Sequence, residues 1–289
     1  MTRAWGVRGE PLSRHTSLRV GGPADVFVQV ASEDDLRGAV AVARQHETAI
    51  FVLGGGTNLL VADKGIRGVV IENAWSEAGV DGAVVTAASG TPSAHVAAVA
   101  ARGGILGLEW MATVPGTVGG AVHGNAGAFG TETADVIVDA ELMDLNGDSW
   151  VATKDELGFA YRTSALQGTP GVVVRARFRG TEGDRDIAVR RIKEMANERA
   201  AKQPLAQPNT GSIFRNPPGD FAGRLIEAAG LKGKRVGGAL VSEKHANFIV
   251  NTGEASAKDI LDLMWVCRRE VKERFGVDLT PEVEVVGEW

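Results

Sequence analysis

The chain has 289 residues, 44% of them hydrophobic and 23% charged, and a net charge of −5, ordinary proportions for a soluble globular protein with a soft prior of two domains. No basic run points to a nucleic-acid partner. Arg102 and the adjoining Gly103-Gly104 interrupt the longest apolar region, 96–108, so no membrane span is read, and residues 1–17 lack the apolar core of a signal peptide. The single cysteine, Cys267, excludes an internal disulfide framework and suits a reducing cytoplasm.

In chain order, Val26–Val30 reads as a strand and Ser32 as the cap of a helix, with Asp35 in the capping-box position. Leu36, Ala39, Val40 and Ala43 share one face of that helix at helical spacing. Ile50–Leu53 and Val69–Ile71 read as further strands, which makes a small α/β lobe. The stretch Gly54-Gly55-Gly56-Thr57-Asn58 follows the second strand directly, at the end where ligands bind in such lobes. It is not a GxGxxG fingerprint and no helix opens after it, so a dinucleotide fold of the Rossmann type is not supported.

Val84–Ala87 starts a second lobe. Thr91-Pro92 begins a helix and Gly103 ends it. The stretch Met111–Gly130 carries six glycines and no charged residue, and it reads as a loop too broken for a core helix. One reason for such a run is a main chain that must approach an anionic group such as a pyrophosphate; a cluster of tight turns is the other. Val136–Val138, Glu141–Asp144 and Val172–Phe178 read as strands of a mainly antiparallel lobe, with Asn146-Gly147 as a hairpin turn. Asp186–Lys202 reads as an amphipathic helix with Val189, Ile192 and Ala196 on one side, followed by a linker to Asn209. A short helix over Phe221–Ala229, a basic turn at 232–235 and a last helix opened by Ser256 with Asp259 complete the chain. Ile260, Leu263, Met264, Cys267 and Val271 form the last helix's apolar stripe, and Gly276 closes it.

The five histidines lack metal-ligand spacing, so no metal site is expected. Neither a GxSxG elbow nor a Walker A motif is present. Singly, Ser212 reads as a turn hydroxyl, Arg162 as a surface arginine, and Glu282 as one of two glutamates alternating with valines on a solvated strand face.

Together these stretches change the odds. GGGTNLLVADKGIRGVVI, VPGTVGGAVHGNAGAFG, YRTS, GSIFRNP, AGRLIEAAGLKG, SEKHANFIVN and LTPEVEVVG occur in the order and spacing of one family. From about Thr16 to Gly287 the chain resembles the UDP-N-acetylenolpyruvoylglucosamine reductases, the flavoenzymes known as MurB. The resemblance implies an α+β protein: a two-lobed FAD-binding fold of the vanillyl-alcohol-oxidase (PCMH) class plus a C-terminal α+β substrate-binding domain. Residues 1–203 would be the FAD-binding region, with lobes at about 1–75 and 76–203. Residues 204–289 would bind substrate, their last part returning to lobe 1 as an alternative.

The resemblance also implies non-covalent FAD, NADPH as co-substrate and a UDP-sugar enolpyruvyl ether as substrate, in a cytoplasmic step of peptidoglycan precursor synthesis. It implies no nucleic acid, membrane or protein partner. The family's catalytic trio falls on Arg162, Ser212 and Glu282. The FAD loops fall on Gly54, Gly55, Gly56, Thr57 and Asn58, and on Val114, Pro115, Gly116, Thr117, Gly119, Gly120, Asn125 and Gly127. Arg215, Arg224, Lys244, His245 and Asn247 are the candidates for the UDP-sugar, since basic and amide groups suit phosphate and sugar recognition. The chain's one tyrosine, Tyr161, belongs to the YRTS motif, so the sequence resembles the shorter variant of the family, without the extra tyrosine loop. Many oxidases of the same fold class attach flavin to a histidine beside the first glycine loop; here Thr57 and Asn58 follow it.

Overall fold

Capping and apolar spacing decide the first helix. In the computed structural model it spans Glu33–Gln45, and Ser32 Oγ accepts the Asp35 N–H. Glu33, Asp34 and Asp35 place negative charge in its first turn, while Leu36, Ala39, Val40 and Ala43 are buried. The structure describes residues 6–169 and 171–289. The start of the stretch read for a leader, residues 1–5, lies outside the described residues. A four-stranded sheet runs in the order Val7–Arg8, Ala24–Val30, Ile66–Asn73, Ile50–Leu53. Its last two strands are parallel, with Ile50 opposite Val69.

By Cα packing the chain forms two compact units. One comprises residues 6–7 with Phe27–Gly55 and Gly68–Arg199; the other comprises Arg8–Val26, Gly56–Arg67 and Ala200–Trp289. This differs from a single cut at 203. In the second unit the strand Glu284–Val286 pairs in parallel with Leu59–Val61, so the chain's last strand joins the segment just after the GGGTN stretch.

The first unit holds a five-stranded antiparallel sheet in the order Ser149–Thr153, Ile137–Met143, Val172–Arg179, Val84–Ala88, Ala78–Asp81. The two runs expected at Val136–Val138 and Glu141–Asp144 are one strand, Ile137–Met143, with register shifts against Val172–Arg179. Asn146-Gly147 turns the hairpin, and Asp144 Oδ1 accepts the Asn146 N–H at 2.8 Å. Val96, Ala97 and Ala100 of the helix Ser93–Arg102 pack into a core with Val85, Trp110, Met111 and Phe178.

Two expectations fail in this unit. Met111–Gly130 is not a continuous loop: a 3-10 turn spans Glu109–Thr113 and an α-helix spans Val118–Gly124. Val118, Ala121 and Val122 are buried on one side of that helix, so tertiary packing outweighs a helix-propensity cost of about 1 kcal/mol per glycine. The long helix Arg185–Lys202 does not bury Val189, which is 50% exposed, nor Ala196. Its packed face is Ala188, Ile192 and Met195. In this highly charged sequence the apolar residues fit two overlapping stripes, and the core selects one.

The second unit packs around Leu18, Leu60, Ile213, Phe214, Leu225 and Ile260. Its last helix, Ala257–Phe275, has a reciprocal Ser256/Asp259 capping box, and the Asp63 carboxylate also accepts the N–H groups of Ala257 and Lys258. Ile260, Leu263, Met264, Cys267 and Val271 are buried, and Gly276 closes the helix at φ +71°. Burial pushes the Cys267 thiol up to about 12, as suits a core filler.

Candidate active site

The glycine segments have distinct jobs in the first unit. The stretch Gly116–Gly119 lies against Ser89–Ser93: Val118 N–H donates to Thr91 O at 2.9 Å, Gly119 N–H to Ser89 O at 2.8 Å, and Ser93 N–H to Gly116 O at 3.0 Å. A Cβ on Gly119 would stand 3.1 Å from Ser89 Cβ, so Gly119 serves packing. A Cβ on Gly120 would meet only Thr117 Oγ1, at 3.8 Å, and one on Gly124 would meet nothing within 4 Å. The main chain there is open to a ligand. Gly54 faces the same segment, since its Cβ would fall 2.5 Å from Thr117 Oγ1. Gly55 and Pro115 are exposed, and Val114, Gly116 and Thr117 are half-buried. An uncharged surface of exposed backbone fits a pyrophosphate-bearing cofactor. Sequence reading missed the supporting run Ser89-Gly90-Thr91; its signal was a small-residue turn directly after a strand.

Arg162 sits in a two-residue turn of the same unit. Ala160 N–H donates to Thr163 O and Thr163 N–H to Ala160 O, both at 3.0 Å. Arg162 has φ +57°, a left-handed conformation that costs a non-glycine residue about 1–2 kcal/mol. Such strain persists where the surroundings over-determine it, often at functional sites. Here the Arg162 guanidinium donates to Gly127 O at 3.2 Å and lies 5.1 Å from the Tyr161 ring centroid.

The second unit brings Ser212 and Glu282 together. Gly211, at φ +79°, turns the chain, and its N–H is held by Asn209 Oδ1 at 2.9 Å. Ser212 is half-buried, while Ile213 and Phe214 are anchored in the core. Glu282 N–H donates to Ile213 O at 2.8 Å, and Phe214 bridges to Pro281. Asn58 links the GGGTN stretch to the same place: its Nδ2 donates to Glu282 O at 3.0 Å, and its own carbonyl accepts the Glu284 N–H at 2.9 Å. Gly56, at φ +59°, packs on the His15 backbone, and Thr57 is half-buried.

The substrate candidates divide by what their side chains already hold. Arg215 Nε is buried and has no hydrogen-bond partner among the described residues, a condition that costs about 1–3 kcal/mol unless a ligand or water fills it. Arg224 forks onto Asp220, whose carboxyl it holds at about 2. Lys244 Nζ donates to Ala200 O at 2.6 Å. Asn247 is bonded to the backbone of the Ser212 segment. Its Oδ1 accepts the Phe214 N–H at 3.0 Å and its Nδ2 donates to Phe214 O at 2.8 Å, so a 3%-exposed amide is spent on clamping the Ser212 segment.

His245 Nδ1 accepts the Asn247 N–H at 3.2 Å. Burial, then the charge of Lys232, lowers its pKa below 6.5, against the smaller opposing effects of a backbone hydrogen bond and of Glu227. A depressed histidine pKa favours the neutral form in the fold. Its contribution to stability is therefore complete above the unfolded value of about 6.5 and is lost as pH falls below it. His245→Asn offers an acceptor to the same N–H as an Asx-turn without titrating. We expect melting temperature to fall more steeply from about pH 7 to about pH 5 in the natural protein than in this variant. Equal slopes would remove His245 from the account.

Comparison with known proteins identifies the family. An FAD-binding-domain model matches residues 24–153, and the model of the UDP-N-acetylenolpyruvoylglucosamine reductase C-terminal domain matches residues 203–286. The chain is 44% identical over 280 residues to the UDP-N-acetylenolpyruvoylglucosamine reductase of Caldanaerobacter subterraneus subsp. tengcongensis, covering 96% of this chain and 93% of that protein. It is 47% identical over 282 residues to the enzyme of the same name from Rubrobacter xylanophilus, covering 96% and 94%. The crystal structure of the Thermus caldophilus reductase (MurB) superposes with a TM-score of 0.83 at 39% identity, covering 96% of this chain and 98% of that one. With relatives this similar along nearly its whole length, the chain belongs to the UDP-N-acetylenolpyruvoylglucosamine reductase family.

Proposed function

We propose that this FAD-dependent reductase completes its reaction with three of its own side chains, Arg162, Ser212 and Glu282. The substrate is UDP-N-acetylglucosamine enolpyruvate and the product UDP-N-acetylmuramate, a cytoplasmic step in peptidoglycan precursor synthesis. Bound FAD supplies a hydride, drawn from NADPH, to the terminal carbon of the enolpyruvyl group. Everything else falls to the protein. Gly54–Asn58 and Val114–Gly127 hold the cofactor through backbone groups, without a covalent bond. Negative charge develops on the carbon beside the ether oxygen and spreads into the carboxylate. Arg162 neutralises it and Glu282 fixes the geometry by hydrogen bonding. Ser212 Oγ–H then protonates that carbon. Arg215, Arg224, Lys244 and His245 serve the UDP-sugar.

The observation that carries this reading is the junction of Ile213, Glu282 and Asn58. It ties the candidate proton donor, the candidate carboxylate and a glycine-rich stretch to one hydrogen-bonded frame within the second unit. The test is NADPH consumption by the yellow protein with and without the enolpyruvyl substrate. Rapid, stoichiometric consumption with substrate and one transferred hydride per product is the expected result. Consumption that is indifferent to the enolpyruvyl compound would overturn the reading.

A further inference from the structure

Asn125 is wholly buried and ends the helix Val118–Gly124 in a left-handed conformation, φ +45°. Asparagine tolerates that backbone better than other residues with a Cβ. Its amide is hydrogen-bonded at both ends. Oδ1 accepts the Ala134 N–H at 3.0 Å, and Nδ2 donates to Ala160 O at 3.0 Å. Ala160 is the first residue of the turn that carries Arg162, and its carbonyl also accepts the Thr163 N–H. Two further bonds hold this turn to the same glycine-rich segment: Ser164 Oγ donates to His123 O at 2.7 Å, and the Arg162 guanidinium donates to Gly127 O. A wholly buried side chain hydrogen-bonded to protein backbone at both ends in this way holds the fold at this point.

We infer that the Asn125 side chain positions Arg162 and does not bind the cofactor: its amide fixes the carbonyl of Ala160 and so holds the strained turn that aims the guanidinium. The inference rests on the proposed role of Arg162 in the reaction. It makes the glycine-rich segment serve two tasks, exposing backbone on one side and orienting the arginine on the other.

Asn125→Gly keeps the left-handed backbone and deletes the amide. Asn125→Asp keeps the shape and the acceptor for Ala134 but turns an oxygen towards the Ala160 carbonyl. Arg162→Gly, which the turn's positive φ accommodates, is the reference. Each is purified as holoenzyme, and flavin content, reduction by NADPH and reoxidation by the enolpyruvyl substrate are measured separately. Both Asn125 variants should retain flavin and normal reduction, while reoxidation slows by roughly 10–10²-fold, the scale of a misplacement near 1 Å. In the Arg162→Gly background, Asn125→Gly should slow reoxidation no further, because the residue it positions is gone. Loss of flavin on removing the amide, wild-type reoxidation in Asn125→Asp, or full multiplication of the two defects would each overturn the inference. Wild-type reoxidation in Arg162→Gly alone would instead overturn the role given to Arg162. If Asn125→Gly fails to fold, Asn125→Asp carries the test through the same cycle.

Discussion

Ser212→Ala is expected to leave a yellow protein that NADPH reduces at nearly the natural rate but that the enolpyruvyl substrate scarcely reoxidises. Reduction of an enolpyruvyl ether needs two deliveries, and the flavin supplies only the hydride. The proton must reach the neighbouring carbon from another group. Ser212 is held for such a task by Gly211 at φ +79°, by the buried pair Ile213 and Phe214, and by the Asn247 clamp on the Phe214 backbone. A hydroxyl is a weak acid, but the developing enolate is a strong base, so rigid placement matters more than acidity. Reoxidation should fall by roughly 10²–10⁴-fold, the range for loss of a general acid. Rapid-mixing absorbance of the oxidised flavin band separates the two half-reactions. Reoxidation at the natural rate would transfer the proton to a water or to Glu282.

Gly120→Asp should yield a folded, colourless protein. A Cβ at 120 meets only Thr117 Oγ1, at 3.8 Å, so the substitution is not excluded by packing. Gly120→Ala is therefore the control and should keep its flavin. The aspartate adds a negative charge to an uncharged segment where the phosphates of the cofactor would lie. Two like charges about 4 Å apart repel by about 4 kcal/mol at an effective dielectric of about 20, roughly a thousandfold in affinity. Flavin content read from the absorbance of released FAD checks both variants. Full occupancy in Gly120→Asp would move the cofactor away from this segment.

Elements with one strong local signal were legible in the sequence. The helix Ala257–Phe275 carries a capping box, a single stripe from Ile260 to Val271 and a terminal glycine, and all three act as read. The glycine-rich helix Val118–Gly124 was illegible because its local propensity is poor. Only the burial of Val118, Ala121 and Val122 makes it a helix. The helix Arg185–Lys202 shows the same limit from the other side, since its periodicity allows two faces and the core uses Ala188, Ile192 and Met195.

The sequence by itself determined the family, through seven stretches whose residue types, order and spacing chance does not assemble, and with it the reaction and the candidate residues Arg162, Ser212 and Glu282. Only the tertiary structure decided which partners the asparagine side chains take. The resemblance places Asn58 and Asn125 in the FAD loops and Asn247 is a candidate for the UDP-sugar; their side chains donate to Glu282 O, Ala160 O and Phe214 O respectively. It also decided that residues 8–26 and 56–67 pack with the C-terminal segment. The physical reason is common to these cases. An amide's partner, and a strand's neighbour, are set by hydrogen bonds between residues such as Asn58 and Glu282 that lie far apart in the chain, and no local propensity or periodicity encodes such a pairing.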